Sequence, residues 1–212
     1  TGGIGEINHE RKCRSVLTKI DFARDVFHSP REVAYIQERG YVIGIQEFIQ
    51  QTGPFLERST PEQFMFALSS FKGQEGAHAT TFNHHRLIAK TFGIRNGNTY
   101  LDSFVSFKKN ITASIPHEDG IAEQLNIAFE TLTAGQNTIE QYCGFLTHTD
   151  FVPHNIRIAH DTIYLLDHSS LTFGNKYEGW ARFINFMALH NPSLQKALEG
   201  YVRDNRTKEE VH

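Results

Sequence analysis

The sequence predicts a mixed α+β chain, in which a mostly helical large lobe carries a β-hairpin and follows part of a smaller lobe. Two short apolar runs, 156–158 and 163–166, are separated by a polar turn, which indicates the large-lobe hairpin. An earlier pair of apolar runs brackets Gly40, a residue suited to the positive φ of a tight turn. Between the hairpins, apolar residues repeat at helical spacing. We therefore expect a partial small lobe at 1–50 and a helical large lobe at 51–212.

Composition excludes several classes of protein. With 212 residues, the chain is long enough for one large domain or two small lobes. Its formal charge of −3 gives no basic excess, which argues against a nucleic-acid partner. Cys13 and Cys143 lack the spacing of a metal site or a disulfide framework, so we expect a reducing, cytoplasmic setting. No apolar run is long enough to span a membrane, and no membrane partner is expected.

The small lobe is predicted to contain one helix and one hairpin. Over 6–20, charged residues surround a narrow apolar face, which is typical of an exposed helix. Strands are expected at 33–36 and 41–46, joined by a turn over 37–40. The segment 47–50 then leads into the large lobe.

Four helices are predicted in the first part of the large lobe. Thr60, Pro61 and Gln63 have the residue types of a helix start: an N-cap, a proline in the first turn and a capping partner. Glycines are expected to end these helices, because glycine disfavours the helical backbone. The predicted helices are one ended by Gly73, then 75–91 ended by Gly93, 99–109, and one through 121–132 ended by Gly135.

The residues after the large-lobe hairpin are predicted to form a turn, two helices and a tail. The turn is expected at 173–175, followed by a helix over 177–190 with an apolar inner face. Pro192 is suited to the first turn of the last helix. Trp180 is expected to pack in the core, although it could instead line a ligand site. Residues 203–212 are expected to be a solvated tail.

The large-lobe hairpin is expected to bring two oxygen ligands together. Its register places Asn155 beside Asp167 at the open end. Asp150 lies five residues before Asn155, and Pro153 stiffens the connection between them. An Asp, an Asn five positions later and an Asp after a hairpin are the parts of a phosphoryl-transfer site. In that template the first Asp accepts or orients a hydroxyl, and the other two residues hold Mg²⁺.

This stretch resembles the aminoglycoside phosphotransferase and choline kinase branch of the protein-kinase-like fold. The resemblance rests on His148, Asp150, Pro153, Asn155 and the run Leu165-Leu166-Asp167. Two departures are Thr149, where that branch usually has Gly, and His168-Ser169 after the metal-binding Asp. The resemblance implies Mg²⁺-dependent transfer of the γ-phosphoryl group of ATP or GTP to a hydroxyl of an aminoglycoside-, choline- or sugar-like molecule. It also implies that His148 braces the loop, while Asp150 is the base.

The same resemblance assigns nucleotide contacts to the small lobe. Glu47, Phe48 and Ile49 would form the hinge that holds the nucleotide base, and Glu10, or Glu6, would be the helix glutamate that pairs with a strand lysine. The glycine-rich hairpin and the lysine that precede this helix in the family have no counterpart in these residues. We therefore expect either an amino-terminally truncated chain or a reduced relative with impaired catalysis.

Two other functions stay open at this point. One is a kinase-like scaffold or binding protein with little or no catalysis. The other is a zinc- or manganese-dependent hydrolase, because histidines crowd the large-lobe hairpin. Strand alternation argues against the second, since His168 would point away from Asp167. The ligands of such a hydrolase would come from His148, Asp150, His154, Asp167 and His168.

Overall fold

The structure of this chain is a computed structural model that describes residues 3–20, 22, 28–115, 119–160 and 162–211. Asp161 of the predicted hairpin turn and His212 of the predicted tail lie outside the described residues. The architecture is mostly α-helical with small β-sheets, in agreement with the α+β prediction. Within the described ranges, none of the helices combines the length and apolar character needed to cross a bilayer.

Helix α1 (Ile4–Leu17) covers most of the predicted span 6–20 and buries one edge. Cys13 and Val16 are the buried residues of this helix, and its charged side chains surround them. The narrow buried edge is what the sparse apolar pattern predicted. Two strands follow, β1 (Glu32–Glu38) and β2 (Tyr41–Gln46).

Strands β1 and β2 form the predicted first hairpin, but its turn is shorter than expected. Glu38 pairs with Tyr41, so the turn consists of Arg39 and Gly40 and does not occupy the predicted 37–40. Both turn residues have positive φ, 49° and 82°. A two-residue turn with this backbone matches the right-handed twist of paired strands, which explains why pairing continues to the last possible residue.

A single helix, α2 (Thr60–Thr91), replaces the two helices predicted on either side of Gly73. A glycine inside a helix lowers its stability by only about 1 kcal/mol relative to alanine. Here one face of the helix is buried on both sides of the glycine, and this burial outweighs the cost. The buried side chains nearest to it are Ala67, Ser70, Phe71, Gln74 and Ala77.

Helix α2 also begins one residue earlier than predicted. Ser59, and not Thr60, is the N-cap, and its partner is Glu62 in place of Gln63. The backbone N–H and the hydroxyl of Ser59 donate to Glu62 Oε2 at 3.0 Å and 2.6 Å. Gln63 is instead buried and donates to the carbonyl of Arg58 at 2.8 Å. The pairs Thr60–Gln63 and Ser59–Glu62 both fit the capping pattern. Because Gln63 is buried, Ser59 and Glu62 form the cap.

Three helices continue the lobe. Helix α3 (Gly97–Ser114) is longer than the predicted 99–109, because Asn96 provides a cap before it: its side chain accepts from the Thr99 N–H at 3.0 Å. Helix α4 (Asp119–Ala134) ends just before Gly135, as predicted. A short helix that was not predicted, α5 (Gln136–Gln141), starts at once after that glycine.

The remaining strands belong to two small sheets. Strands β3 (Gly93–Ile94), β4 (Phe145–His148) and β7 (Leu171–Gly174) form one sheet in the order β3-β7-β4. Strands β5 (Ile156–Ala159) and β6 (Thr162–Leu165) form the predicted large-lobe hairpin.

The predicted turn at 173–175 is wrong for its first two residues, because Phe173 and Gly174 belong to β7. They pair with Leu146 and Phe145 of β4, and Gly174 ends the strand. A Cβ atom at Gly174 would lie 2.7 Å from the Tyr100 hydroxyl. The glycine is therefore required by the close approach of Tyr100, and this requirement is invisible in the local sequence.

Helices α6 (Glu178–His190) and α7 (Pro192–Asn205) confirm the two predicted carboxyl-terminal helices. They pack on α2 and complete the core. Trp180 stacks on Phe71 with ring centroids 4.4 Å apart, so this tryptophan is a core residue. The largest fully buried side chains include Phe71, Phe151, Phe183, Met187, Leu194 and Leu198.

The predicted solvated tail at 203–212 is mostly helical, and most of its described residues are exposed, as predicted. Helix α7 runs to Asn205, and a short helix, α8 (Lys208–Val211), follows. The Arg206 guanidinium lies 4.9 Å from the Trp180 ring centroid. Glu210 accepts from Lys176 Nζ at 3.2 Å. Arg206 and Glu210, which are less exposed than the rest of the segment, attach it to α6 and to Lys176 just before α6.

Candidate active site

The large-lobe hairpin has the predicted register. Ile158 pairs with Ile163 in the β5–β6 ladder. Beyond the ladder, the Leu166 N–H donates to the Asn155 carbonyl at 2.8 Å, so position 155 lies opposite 166. A short 3-10 turn over 153–155 leads into β5, and a second one over 168–170 follows β6. The backbone therefore delivers Asn155 and Asp167 to the same end of the hairpin.

Asp150 contacts Asn155 directly. The Asn155 Nδ2 group donates to the Asp150 carbonyl at 2.8 Å and to Asp150 Oδ2 at 3.0 Å. Both N–H bonds of the amide are used, which leaves Asn155 Oδ1 as the atom of this side chain that can accept a further contact. The Asp150 side chain is 42% exposed, so a molecule from solvent can reach the carboxylate.

Arg182 holds the other oxygen of Asp150. From helix α6, its Nε and Nη2 atoms donate to Asp150 Oδ1 at 3.0 Å and 2.9 Å. A carboxylate offers about four lone-pair sites, and three are occupied here by Arg182 and Asn155. One lone pair of Oδ2 is therefore free. No sequence motif linked Arg182 to Asp150, because 32 residues separate them and only the packing of α6 brings them together.

His148, the last residue of β4, is buried behind the loop. Its Nε2 lies 3.0 Å from the Asp167 carbonyl and 3.3 Å from the Leu166 carbonyl. Both neighbours are acceptors, so Nε2 carries the hydrogen. Burial lowers the pKa of His148 below its usual value, and the ring is neutral at physiological pH. These contacts agree with a bracing role for His148, which stays a prediction.

Asp167 has a left-handed backbone, with φ 52° and ψ 61°. Its two carboxylate oxygens accept from the hydroxyls of Ser169 and Ser170, each at 2.5 Å. Burial raises the pKa of Asp167, but the hydrogen bonds from the two serines outweigh it and leave the pKa below its ordinary value. The side chain is therefore a carboxylate, the form that binds cations.

Glu10 reaches the loop after Asp167 from helix α1. Its Oε1 lies 3.1 Å from His168 Nδ1, and its Oε2 accepts from the Ser169 N–H at 2.6 Å. Burial raises the pKa of Glu10, but the hydrogen bonds to His168 and Ser169 outweigh this and lower the pKa overall. Glu6, the other candidate, accepts from the Gly3 N–H at the start of α1. Of the two glutamates, Glu10 is the one beside the site.

A cavity of about 350 Å³ lies between α1, the first hairpin and Asp167. Arg11 and Arg14 line it together with Glu10 and Asp167. The Arg14 side chain is only 12% exposed. Among the described residues, its Nε lies 3.7 Å from Glu10 Oε1 without a hydrogen bond, and its Nη2 lies 3.6 Å from Glu32 Oε2. The guanidinium has an N–H that can donate to an anionic ligand, in competition with these two carboxylates. Neither arginine was a candidate from sequence, because a charged helix face is usually only solvated.

The predicted hinge follows β2 and has no regular secondary structure. The Glu47 N–H donates to the Arg31 carbonyl at 2.8 Å and is therefore already used. Phe48 is 81% exposed, whereas Ile49 is buried. The contacts of this segment do not test its assignment to the nucleotide base, which stays a prediction.

The histidines of the alternative metal site have other contacts. His148 donates to backbone carbonyls, and His154 lies edge-on to Phe186 at a centroid distance of 5.2 Å. His168 bridges Glu10 and Ser29. In the part of the chain that the structure describes, no group of three or more His, Cys, Asp or Glu side chains is placed to hold a metal ion. The zinc or manganese hydrolase therefore has no ligand set there.

Neither a family model nor a curated protein matches this sequence. Solved structures do match. The ADP-bound aminoglycoside phosphotransferase APH(2'')-Ib is 12% identical, with a TM-score of 0.57 over 97% of this chain and 79% of its own. The GDP and kanamycin complex of APH(2'')-IIia is 12% identical, with a TM-score of 0.67 over 97% of this chain and 70% of its own.

A third match is aminoglycoside phosphotransferase APH(4)-Ia, in a ternary complex with ADP and hygromycin B. It is 14% identical, with a TM-score of 0.63 over 94% of this chain and 68% of its own. At these identities the similarity establishes the fold. The chain has the kinase-like fold of aminoglycoside phosphotransferases, which confirms the predicted fold class.

Proposed function

We propose that this protein is a phosphotransferase that moves the γ-phosphoryl group of ATP or GTP to a hydroxyl of a small molecule. The observation that carries the proposal is the direct contact of Asp150 with Asn155, at the hairpin end where Asp167 also lies. The three residues have the types and order of the phosphoryl-transfer template. The division into a small lobe at 1–50 and a large lobe at 51–212, and a cytoplasmic location, belong to the same proposal.

Asp150 is the base in this proposal. Its Oδ2 has a free lone pair that accepts the hydrogen of the acceptor hydroxyl, while Asn155 and Arg182 hold the carboxylate in one orientation. A positioned base of this kind contributes about 10²- to 10⁴-fold to the rate. Arg182 is a positioning residue, because it acts through Asp150.

Asn155 and Asp167 are the proposed Mg²⁺ ligands. The fit is good: the Asn155 amide turns its oxygen away from Asp150, and the Asp167 pKa lies below its ordinary value. Mg²⁺ prefers such oxygen ligands and usually takes only one or two from the protein, with phosphates and waters completing its shell. When bound, the ion neutralises charge on the transferred phosphoryl group.

The nucleotide phosphates are proposed to occupy the cavity between α1 and Asp167. Arg14 supplies positive charge there, the task of the strand lysine in the family that the site resembles. The hinge at Glu47, Phe48 and Ile49 would hold the base. The similar structures contain ADP or GDP, and two also contain kanamycin or hygromycin B. An aminoglycoside-, choline- or sugar-like acceptor follows from that similarity.

One observation favours a second candidate function, a kinase-like scaffold with impaired catalysis. Glu10 bonds to His168 and Ser169, and the cation beside its carboxylate in the described structure is Arg14, at 3.7 Å, in place of a lysine. A scaffold of this kind would bind nucleotide weakly or not at all.

Nucleotide titration separates the two functions. Isothermal calorimetry of the full-length protein with ATP and with GTP, each with and without Mg²⁺, should show binding that Mg²⁺ strengthens. Asp167→Asn should remove the Mg²⁺ enhancement, while Asp102→Asn, an exposed aspartate on α3, should keep it. Absence of binding at millimolar nucleotide with Mg²⁺ would support the scaffold. If the unmodified protein binds nucleotide with the same affinity with and without Mg²⁺, the metal assignment is contradicted.

A further inference from the structure

A second cavity, of about 290 Å³, lies beside His148 and His168 and is separate from the proposed nucleotide cavity. Its wall is mainly apolar and comes from α1, α2, β4, β6 and β7. The apolar lining includes Leu17, Phe22, Ala77, Leu146, Leu165 and Leu171. His148 and His168 line the side that faces Asp167 and its loop. The proposed phosphoryl transfer makes no use of this space.

Three side chains that line this cavity are buried and carry polar atoms without a hydrogen-bond partner in the described structure. His148, Thr147 and Gln74 are 1%, 2% and 3% exposed. Nδ1 of His148, Oγ1 of Thr147 and both amide atoms of Gln74 lack a hydrogen bond among the described residues. Buried polar groups are almost always satisfied in proteins. The Gln74 amide lies against Gly179 of α6, and Thr147, next to His148 in β4, points to the opposite face of the strand. The cavity can therefore serve His148 Nδ1, and this unsatisfied atom indicates that something else completes its hydrogen bond.

The tautomer of His148 specifies the chemistry of that missing partner. Because Nε2 donates to the Leu166 and Asp167 carbonyls, the neutral ring presents Nδ1 as an acceptor. An N–H or O–H donor is needed to satisfy it.

The size and lining of the cavity specify the rest of the ligand. A cavity of about 150 Å³ with an apolar lining binds benzene in an engineered protein. The present cavity is larger and mostly apolar, with polar atoms near His148. We infer that it is a binding site for a compact, mostly apolar molecule of about the size of indole or a substituted phenol, bearing one N–H or O–H donor. The occupant contacts the two histidines that support the Asp167 loop. Its binding can therefore change the conformation of that loop.

The experiment compares two probes that have the same shape and differ in the donor. Indole carries an N–H, and indene has a CH₂ group in that place. Isothermal titration of the full-length protein should show indole binding with one site, and indene binding about tenfold more weakly, because a buried acceptor is then left unsatisfied. ¹⁵N spectra of labelled histidine should show the His148 Nδ1 resonance moving with indole and not with indene.

Two variants locate the binding. Ala77→Leu fills the cavity from α2 and should abolish indole binding, whereas Ala79→Leu, exposed on the same helix, should leave it unchanged. Circular dichroism checks that both variants are folded, and the ¹⁵N measurement on the unmodified protein needs no variant. No indole binding at its solubility limit, equal affinity for indole and indene, or full binding by folded Ala77→Leu would each overturn the inference. Equal affinity would mean that water satisfies the polar atoms.

Discussion

The two hairpins of this chain have the same topology and very different surroundings. Both are antiparallel pairs whose turns contain positive-φ residues, Arg39 and Gly40 in one and His160 in the other. In β1–β2 even the apolar side chains are exposed, for example Ile43 at 52%, whereas Ile158 of β5–β6 is 3% exposed. Burial on one face fixes strand register, because a slip by one residue would turn that face to solvent. The candidate catalytic residues are attached to the hairpin whose register burial secures.

Helix α1 connects the two hairpins. On one side, Arg11 forms a two-oxygen salt bridge with Glu32 of β1, and Asn8 accepts from the Tyr35 hydroxyl at 2.5 Å. On the other side, Glu10 contacts His168 and Ser169 next to Asp167. The exposed hairpin is therefore tied to the site through polar contacts of one helix, and the buried hairpin is held by the core.

The largest expected difference between the hairpins is in side-chain truncation. Ile158→Ala should lower the free energy of unfolding by about 2–5 kcal/mol, because it leaves a cavity in the core. Ile43→Ala, the same change on the exposed hairpin, should alter it by less than about 0.5 kcal/mol. Urea unfolding followed by circular dichroism measures both. Equal losses of unfolding free energy in the two variants would show that β1–β2 is covered in solution. They would contradict the difference in burial between the two hairpins.

The link through α1 gives a smaller, pH-dependent effect. Glu10→Gln should cost about 1–3 kcal/mol at neutral pH, where the carboxylate accepts its two hydrogen bonds. The folded state lowers the Glu10 pKa, so this stabilisation is present above the ordinary glutamate pKa and is lost as pH falls through the lowered value. Unfolding measured from pH 7 to pH 3 should show the difference from the unmodified protein shrinking with acidification.

The matched control for that experiment is Glu38→Gln on the exposed hairpin. Its side chain is 70% exposed and pairs only with its neighbour Arg39 across 3.5 Å among the contacts of the described chain. We expect no comparable pH dependence from this substitution. A gap for Glu10→Gln that stays constant or widens on acidification would contradict the assignment of a buried, ionised Glu10.

The smallest expected effect is in the turn of the exposed hairpin. Gly40 has φ 82°, and an alanine there adopts a disfavoured left-handed backbone at a cost of about 1 kcal/mol. Gly53→Ala is the control, since Gly53 has open space around it and no positive φ. Hydrogen exchange of the β1–β2 amides should become about fivefold faster in Gly40→Ala only. Unchanged exchange would show that the hairpin is held by contacts other than its turn.

Sequence predicted those features that depend on local pattern. The register of β5–β6, the end of α4 before Gly135 and the start of α7 at Pro192 all follow from alternation, glycine and proline. The predictions of secondary structure were wrong where contacts between residues far apart in sequence determine the structure. Gly73 lies inside a helix because its neighbours are buried, and Gly174 lies in a strand because Tyr100 approaches it.

The same distinction applies to the candidate site. His148, Asp150, Asn155 and Asp167 occur in one stretch of chain, so their spacing could be recognised. Arg182 and Arg14 come from helices far away in sequence, and only packing places them beside Asp150 and Asp167. Glu10 was found from the resemblance, but its bond to His168 was not, since His168 departs from the residue that the family usually has after the metal-binding Asp.

Phosphoryl transfer by an Asp150 variant tests the central claim most directly. The full-length protein is incubated with Mg²⁺ and ATP or GTP plus hydroxyl acceptors such as kanamycin, hygromycin B, choline and simple sugars, and ³¹P NMR follows the new phosphate ester. Asp150→Asn should lower the transfer rate by about 10²- to 10⁴-fold and leave nucleotide affinity nearly unchanged. Asp102→Asn should transfer normally. An Asp150→Asn protein that transfers phosphate at the normal rate would contradict the account.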